Sequence, residues 1–489
     1  MLETAVFLCG AVVMVIELTG SRIMAPFLGT SLVVWTSLIG IILASLSVGY
    51  WWGGRLADRR PERKLLGRII LLAAFATAAV AGTKSFVLGF LQSQGAGLHA
   101  AAVWGALLLF APPAVLLGMV APFAVRLKLS HKRTGGQTAG NLYAISTIGS
   151  IVGTFAAGFV LIAWLGSTNI LLLMAAVLAL AALLAGRSGA GIKAGALAAF
   201  IALLGLAVNY DTRLATAGFV DVDTPYNRVL VFDGAEIGSG RPIRVMATGP
   251  QGRQSAMYLD HPTELAVPYT RWYRLVEHFA PGMKRLLVLG GGGYSFPKYA
   301  LANYPAVGVD VVEIDPGITR LARERFELKD HPRLRVVEED ARTFLNRNRR
   351  VYDAILCDTF NSDYSIPFHL TTLEAVQRLR DSLSPQGVVL VNVLSAVEGD
   401  RGRLFQAMHA TYAAVFPRVA AFALEPQNPG EWQNIIIAAF ASAAEPGADQ
   451  ARPEMAALLA HRIQPPDPAA AQRLTDDYAP VDRYLLSAW

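Results

Sequence analysis

The chain has 489 residues, of which 53% are hydrophobic and only 16% charged, and its mean hydropathy is +0.40; that excludes an ordinary soluble protein and a disordered one. The net charge of +6 lies largely in short connections between apolar runs. It therefore reports membrane orientation, and no nucleic-acid partner is expected. Cys9 in an apolar run and Cys357 in an expected strand are not placed for a disulfide framework.

Apolar runs of membrane-spanning length recur from Ala5 to Val208. They run Ala5 to Ala25, Leu32 to Trp52, Leu66 to Thr83 with an apolar extension, Ala100 to Val125, Ala139 to Ala163, Ile170 to Ala185, and Gly191 to Val208. A multi-span α-helical membrane domain of about seven spans is expected over residues 1–210. The first run carries Glu17 and Arg22 and is too long and too polar at its end for a cleaved signal peptide.

Arg55, Arg59, Arg60, Arg63, Lys64 and Arg68 follow the second run, and Arg126, Lys128, Lys132 and Arg133 the fourth. These connections are expected to face the cytoplasm, which with seven spans puts the soluble half outside it. Nucleoside cofactors are made inside, so a span count differing by one would reconcile charge with chemistry. Glu17, Arg22 and Lys84 lie at membrane depth. Either they line a substrate path, or Arg22 and Lys84 snorkel to an interface and Glu17 alone is buried. Gly149, Gly153, Ala157 and Gly158 read as a close helix-packing face. Gly53 to Arg59 resembles the loop between the second and third helices of major facilitator transporters.

Beyond Asn209 the chain alternates apolar and charged residues as a soluble α/β domain does. Asp223 to Asp233 and Arg241 to Thr248 suggest a small β-sheet within residues 211–280. Strands at Arg285 to Leu289, Val307 to Ile314, Leu334 to Val337, Ala354 to Cys357 and Val388 to Val393 then alternate with helices, so residues 281–489 are expected to form a Rossmann-like, mainly parallel sheet. Ligands of such a sheet bind at the carboxyl ends of its strands.

Each strand end offers a polar contact. The first ends in Gly290, Gly291, Gly292 and Gly293, where a backbone without Cβ atoms can pass close under a cofactor. Glu313 and Asp315 end the second; the glutamate is placed to accept from both ribose hydroxyls, and the aspartate is equally suited to cap a helix. Asp340 and Ala341 end the third, where the aspartate either accepts from an adenine amino group or caps a helix. Asp358 ends the fourth, where a carboxylate can orient an amine or hold a cation. His369 reads as a base or, more simply, a structural histidine. An adenosine-type cofactor is the implied ligand, and no metal is expected.

These residues, from about Thr224 to Val393, resemble a spermidine synthase of the class I methyltransferase-like fold. With the helices, the whole chain resembles bacterial proteins described as major facilitator helices fused to a spermidine synthase. The resemblance implies transfer of an aminopropyl group from decarboxylated S-adenosylmethionine to a small amine, in a multi-pass protein of the bacterial inner membrane with the lipid bilayer as partner and a homodimer through the soluble domain. It assigns cofactor contacts to Gln254, Gly290 to Gly292, Glu313 and Asp340, matches Tyr226 and Tyr269 to family tyrosines and Asn227 loosely to a family glutamine, and implies Asp358 as the catalytic acid group. Read from the residues themselves, Gly293, Asp315 and Ala341 join the expected cofactor contacts, Tyr226, Tyr258, Tyr269 and Tyr364 are expected to hold a cationic amine by their ring faces, and Asp363 is the expected substitute for a second carboxylate.

Two departures stand out. Where the synthases follow their glycines with an aspartate this chain has Gly293, and where they place two aspartates three residues apart it has Asp358 and Asn361. An amide takes no proton from an attacking amine. Two rivals therefore stay open: a methyltransferase using S-adenosylmethionine on a membrane-delivered substrate, and a transporter whose soluble domain senses a polyamine or nucleoside without turnover. The tail cluster Thr475 to Pro480 reads as a capping turn or as a closure over the site.

Overall fold

A computed structural model describes residues 1–29, 31–94, 97–129, 135–186, 205, 216, 218–248, 254–359, 366–444, 452–465 and 467–486. They fall into two compact units, Met1–Arg228 and Val229–Trp489.

The first unit is helical because its long apolar runs satisfy their own backbone groups only in that form. Among the described residues six helical stretches are long and apolar enough to cross a membrane: Leu2–Leu28, Leu32–Arg59, Arg63–Ser93, Leu98–Lys128, Gly135–Trp164 and Ser167–Ala185. The seventh expected span, Gly191 to Val208, lies almost wholly outside the described residues. Large apolar side chains such as Phe159 and Trp164 remain exposed on these helices.

Backbone-to-backbone contacts set how the first helix meets Gly135–Ala156. A Cβ on Gly149 would stand 2.1 Å from the Phe7 carbonyl oxygen, one on Gly153 2.2 Å from that of Ala11, and one on Gly10 2.3 Å from that of Ser146. The helices touch there because none of these residues carries a side chain. Gly149, Gly153 and Ala157 recur at helical spacing and are buried, but Gly158 is exposed with nothing within 4 Å of its would-be Cβ. Its place on the packing face is thus corrected: one residue beyond Ala157 turns it off the stripe.

The cations at membrane depth are bonded to protein groups. Lys84 is only 3% exposed and donates to Thr168 Oγ1 at 2.7 Å. Arg22 donates to the main-chain oxygens of Pro225, at 2.9 Å, and Thr224. The unit ends in a short strand, β1 (Val220–Asp223), whose Asp223 Oδ2 accepts from the Ser167 N–H at 2.8 Å.

The second unit opens on antiparallel strands β2 (Arg228–Ala235), β3 (Pro242–Ala247) and β4 (Ser255–Tyr258). Its main sheet is built from β5 (Arg285–Leu289), β6 (Gly308–Glu313), β7 (Leu334–Glu338), β8 (Tyr352–Cys357), β9 (Leu383–Ser395), β10 (Arg418–Ala423), β11 (Gln433–Phe440) and β12 (Arg462–Ile463), in the order β12-β10-β11-β9-β8-β5-β6-β7. β5 to β9 pair in parallel. Their near-continuous apolar sequences follow from burial on both faces: Leu287, Leu289 and Ile355 join one core, and Leu286, Val288, Ala354 and Leu356 the other.

From β5 the chain proceeds to β6 and β7 on one side, then returns to place β8 on the other. This reversal opens a crevice at the carboxyl ends of β5, β6 and β8. The antiparallel extension β9-β11-β10-β12 is not foreseen in the sequence reading. A helix, Leu373–Asp381, precedes β9, which begins at Leu383.

The glycine stripe yields a paired prediction. Gly153→Val is expected to lower the thermal midpoint of the detergent-solubilised protein by at least about 5 °C, and Gly158→Val to leave it within about 2 °C. Differential scanning fluorimetry of the two variants checks it.

Candidate active site

At the end of β5 the chain turns through Gly290 (φ +92°) and Gly292 (φ +50°) into the helix Ser295–Asn303. Most of these glycines are required by the protein's own packing. A Cβ on Gly290 would lie 2.1 Å from the Asp358 carbonyl oxygen, one on Gly291 2.7 Å from the Tyr294 ring, and one on Gly293 2.5 Å from Ser255 Oγ. Gly292 has the open position, its nearest neighbour standing 3.9 Å away. The expectation that all four admit a ligand is accordingly narrowed to Gly292. Tyr294 itself is left-handed (φ 53°), fully buried, and shares a 2.8 Å hydrogen bond with Thr319 Oγ1.

Glu313 at the end of β6 is 8% exposed. Its Oε2 accepts the N–H groups of Gly291 at 2.7 Å and Gly292 at 3.3 Å, and its Oε1 accepts that of Asp315 at 2.9 Å. Burial raises its pKa, and the N–H groups of Asp315, Gly291 and Gly292 oppose that rise. A carboxylate has about four acceptor positions, and three of those of Glu313 are taken by these N–H groups, leaving one on Oε1. Asp315 is fully buried and its Oδ1 accepts from the Gly317 N–H at 2.9 Å. The structure thus places Asp315 as a helix cap and offers no open face for a cofactor there.

Asp340 also caps, accepting from the Thr343 N–H at 2.8 Å, while its second oxygen lies 3.2 Å from His369 Nε2. Burial works to raise its pKa, but the Thr343 N–H and His369 outweigh it and the net shift is downward. Ala341 is buried at the head of the helix Ala341–Arg347. The tail turn closes on itself between Thr475 and Tyr478. Its Asp476 takes hydrogen bonds from Arg342 Nη2 at 2.7 Å and Thr372 Oγ1 at 2.6 Å. Arg342 further donates to the His369 carbonyl oxygen at 3.0 Å, so the tail secures the segment that faces Asp340.

Asp358 follows β8, its N–H donating to the Leu289 carbonyl oxygen at 2.9 Å. The carboxylate receives Tyr269 Oη at 2.7 Å on Oδ2 and Asn392 Nδ2 at 3.2 Å on Oδ1. Burial raises its pKa, and the donors Tyr269 and Asn392 hold it back. Tyr273 stands edge-on to Tyr269 at 5.9 Å, with a buried hydroxyl that is close to Asp358 but completes no hydrogen bond among the described residues. Gln254 has a buried Oε1 with no hydrogen-bond partner among the described residues. Such an orphaned acceptor is suited to a ligand donor.

The other expected amine contacts part company. Tyr258 is 1% exposed, its hydroxyl donates to Glu236 Oε1 at 2.9 Å, and the Arg241 guanidinium covers its ring at 3.6 Å. With ring and hydroxyl both engaged, Tyr258 is corrected to a structural residue of the small strands. Tyr226 belongs to the first unit and is half exposed there. Asp363, Tyr364 and Asn361 lie outside the described residues. Asn392, Tyr273 and Arg342 are absent from the sequence reading. Of these only Asn392 has a sequence signal, being polar within the apolar run of β9.

Residues 273–443 match the spermine/spermidine synthase domain. Over 244 residues the chain is 31% identical to a polyamine aminopropyltransferase of Vibrio vulnificus, covering 49% of this chain and 77% of that protein. The chain belongs to the spermidine synthase family. A polyamine aminopropyltransferase 2 of Streptomyces coelicolor is 27% identical over 501 residues, covering 95% of this chain and 86% of that one; this family likeness therefore extends through the helical unit. A crystal structure of a probable spermidine synthase from Corynebacterium glutamicum is 22% identical, covers 53% of this chain and 97% of that one, and superposes with a TM-score of 0.45.

Gly290 tests the geometry of the turn. Gly290→Ala forces a Cβ onto the Asp358 carbonyl and is strained at its φ, so a loss of at least about 2 kcal/mol is expected. Denaturant titration of the purified variant checks it.

Proposed function

We propose that the protein is a membrane-held aminopropyltransferase that moves an aminopropyl group from decarboxylated S-adenosylmethionine to a small amine. The observation that carries this reading is the position of Asp358: its carboxylate is held by Tyr269 and Asn392, and its backbone abuts Gly290 of the glycine turn. An acid beside a nucleoside site is what alkylation of an amine by a sulfonium needs. Gly292, Glu313, Asp340, Ala341 and Gln254 take the adenosine part, with Glu313 accepting one ribose hydroxyl through its remaining position on Oε1. Tyr269 and Asp358 take the amine, joined by Asp363 and Tyr364.

In the reaction the amine lone pair attacks the aminopropyl carbon bonded to sulfur. The carbon–sulfur bond breaks with its electron pair on sulfur, leaving methylthioadenosine. The proton released from the new carbon–nitrogen centre passes to Asp358. Because the thioether is a good leaving group, alignment and an unprotonated amine supply most of the rate. Residues 211–280 and 281–489 act together as the catalytic domain. The helices of residues 1–210 hold it in a bacterial inner membrane, with the basic connections around Arg59 and Arg126 at the cytoplasmic face, and a homodimer forms through the soluble part.

Methyl transfer is the second reading, favoured by Gly293, where Ser255 fills the space a carboxylate would need. Product analysis separates the two: methylthioadenosine from decarboxylated S-adenosylmethionine marks aminopropyl transfer, and S-adenosylhomocysteine from S-adenosylmethionine marks methyl transfer. Asp358→Asn is expected to lower kcat about 100-fold or more while methylthioadenosine binds within about twofold of the parent. An unchanged kcat rejects the role of Asp358.

A pH profile supplies a further check. Burial raises the Asp358 pKa, so its useful anionic form is lost as pH falls through that raised value. The acid limb of kcat/KM is expected above the ordinary carboxylate pKa of about 4.

A further inference from the structure

Asp358 does not end its hydrogen-bond chain at Asn392. On β9, Asn392 donates through Nδ2 to Asp358 Oδ1 at 3.2 Å, and its own Oδ1 accepts from Asn434 Nδ2 at 3.0 Å. Asn434 lies on β11, whose antiparallel register with β9 pairs Ile436 with Asn392 and Asn434 with Leu394. The two asparagines are therefore diagonal neighbours across the ladder. Asn392 is 4% exposed, with Val391 and Val393 beside it in sequence and buried as well.

An amide has two unlike ends, and only the NH₂ end helps a carboxylate. Reversed, Asn392 would set its carbonyl oxygen against Asp358 Oδ1, two acceptors without a proton between them. Asn434 opposes that reversal, because in its observed orientation its NH₂ group donates to the Asn392 oxygen and a reversed Asn392 would set two NH₂ groups against each other. We propose that Asn434 and Asn392 are positioning residues acting in series: Asn434 fixes the Asn392 amide so that its N–H meets Asp358, favouring the carboxylate anion and aiming it at the amine. This inference rests on the assignment of Asp358 to the amine.

The groups that face the Asp358 carboxylate are few. Tyr269 and Tyr273 come from the segment Pro268–Leu275, and Cys357 from its own strand, with Tyr412 beyond Cys357. No cation is paired with Asp358 among the described residues. The asparagine chain is thus the sheet's own contribution to the ionisation of this acid.

The test uses full-length protein in nanodiscs with methylthioadenosine bound, and titrates a diamine or spermidine by calorimetry across pH. Parent protein, Asn434→Leu, Asn434→Ala, Asn392→Leu and the double variant Asn392→Leu/Asn434→Leu are compared. Leucine matches asparagine in shape but has no amide, so it adds no charge. In the parent, amine affinity is expected to fall on the acid side at the Asp358 midpoint. In Asn434→Leu that midpoint is expected to rise by about one pH unit, a roughly tenfold change in proton affinity, with amine affinity at high pH and methylthioadenosine affinity within about twofold of the parent. Asn392→Leu is expected to move the midpoint at least as far, and the double variant no further than Asn392→Leu, because residues in series are not additive.

An unmoved midpoint in both Asn434 variants overturns the inference, as do additive shifts. So does loss of methylthioadenosine binding in both, which would make Asn434 a folding residue. If the parent binds no amine at any pH, the assignment of Asp358 to the amine fails, and the inference fails with it by a separately visible result.

Discussion

The contact between Gly290 and the backbone of Asp358 organises the catalytic half. β5 and β8 are parallel neighbours, the Asp358 N–H is bonded to Leu289, and a side chain of any size at Gly290 would strike the Asp358 carbonyl. The glycine turn and Asp358 are thereby held one strand apart. The same turn sends the N–H groups of Gly291 and Gly292 to Glu313, so the Glu313 carboxylate is tied to the glycines beside it. The carboxyl ends of three strands are thus joined by direct hydrogen bonds and close packing.

Electrostatics in this piece work against burial. Glu313 and Asp358 are both pushed toward their protonated forms by desolvation, and each push is opposed by a different device. Glu313 relies on three backbone N–H groups, which cost no side-chain ordering. Asp358 relies on a phenol and a chain of amides, which leaves the carboxylate able to exchange a proton. The proposed function gives the two carboxylates correspondingly different tasks, binding a neutral hydroxyl in one case and handling an amine in the other.

Much of this was legible in the order of residues. Strand-end position alone places Gly290, Glu313, Asp340 and Asp358 at one edge, because a parallel sheet delivers every carboxyl end to the same side. What could not be read is how each side chain spends its hydrogen bonds. Asp315 is a cap and Tyr258 a buried partner of Glu236 and Arg241, since local backbone donors and nearby charges compete with any ligand. The antiparallel strands β10 to β12 bring Asn434 to Asn392 across 42 residues, a pairing that no local periodicity encodes. In the helical unit, spacing identified Gly149 and Gly153, but Gly158 shows that a small residue packs only where helix phase turns it inward.

The most direct measurement is a structure of the protein with methylthioadenosine and an amine bound. The account requires a ribose oxygen at about 3 Å from Glu313 Oε1 and the amine nitrogen at about 3 Å from Asp358, with the glycine turn unmoved beneath the sugar. A nucleoside seated elsewhere, or an amine held away from Asp358, would contradict it.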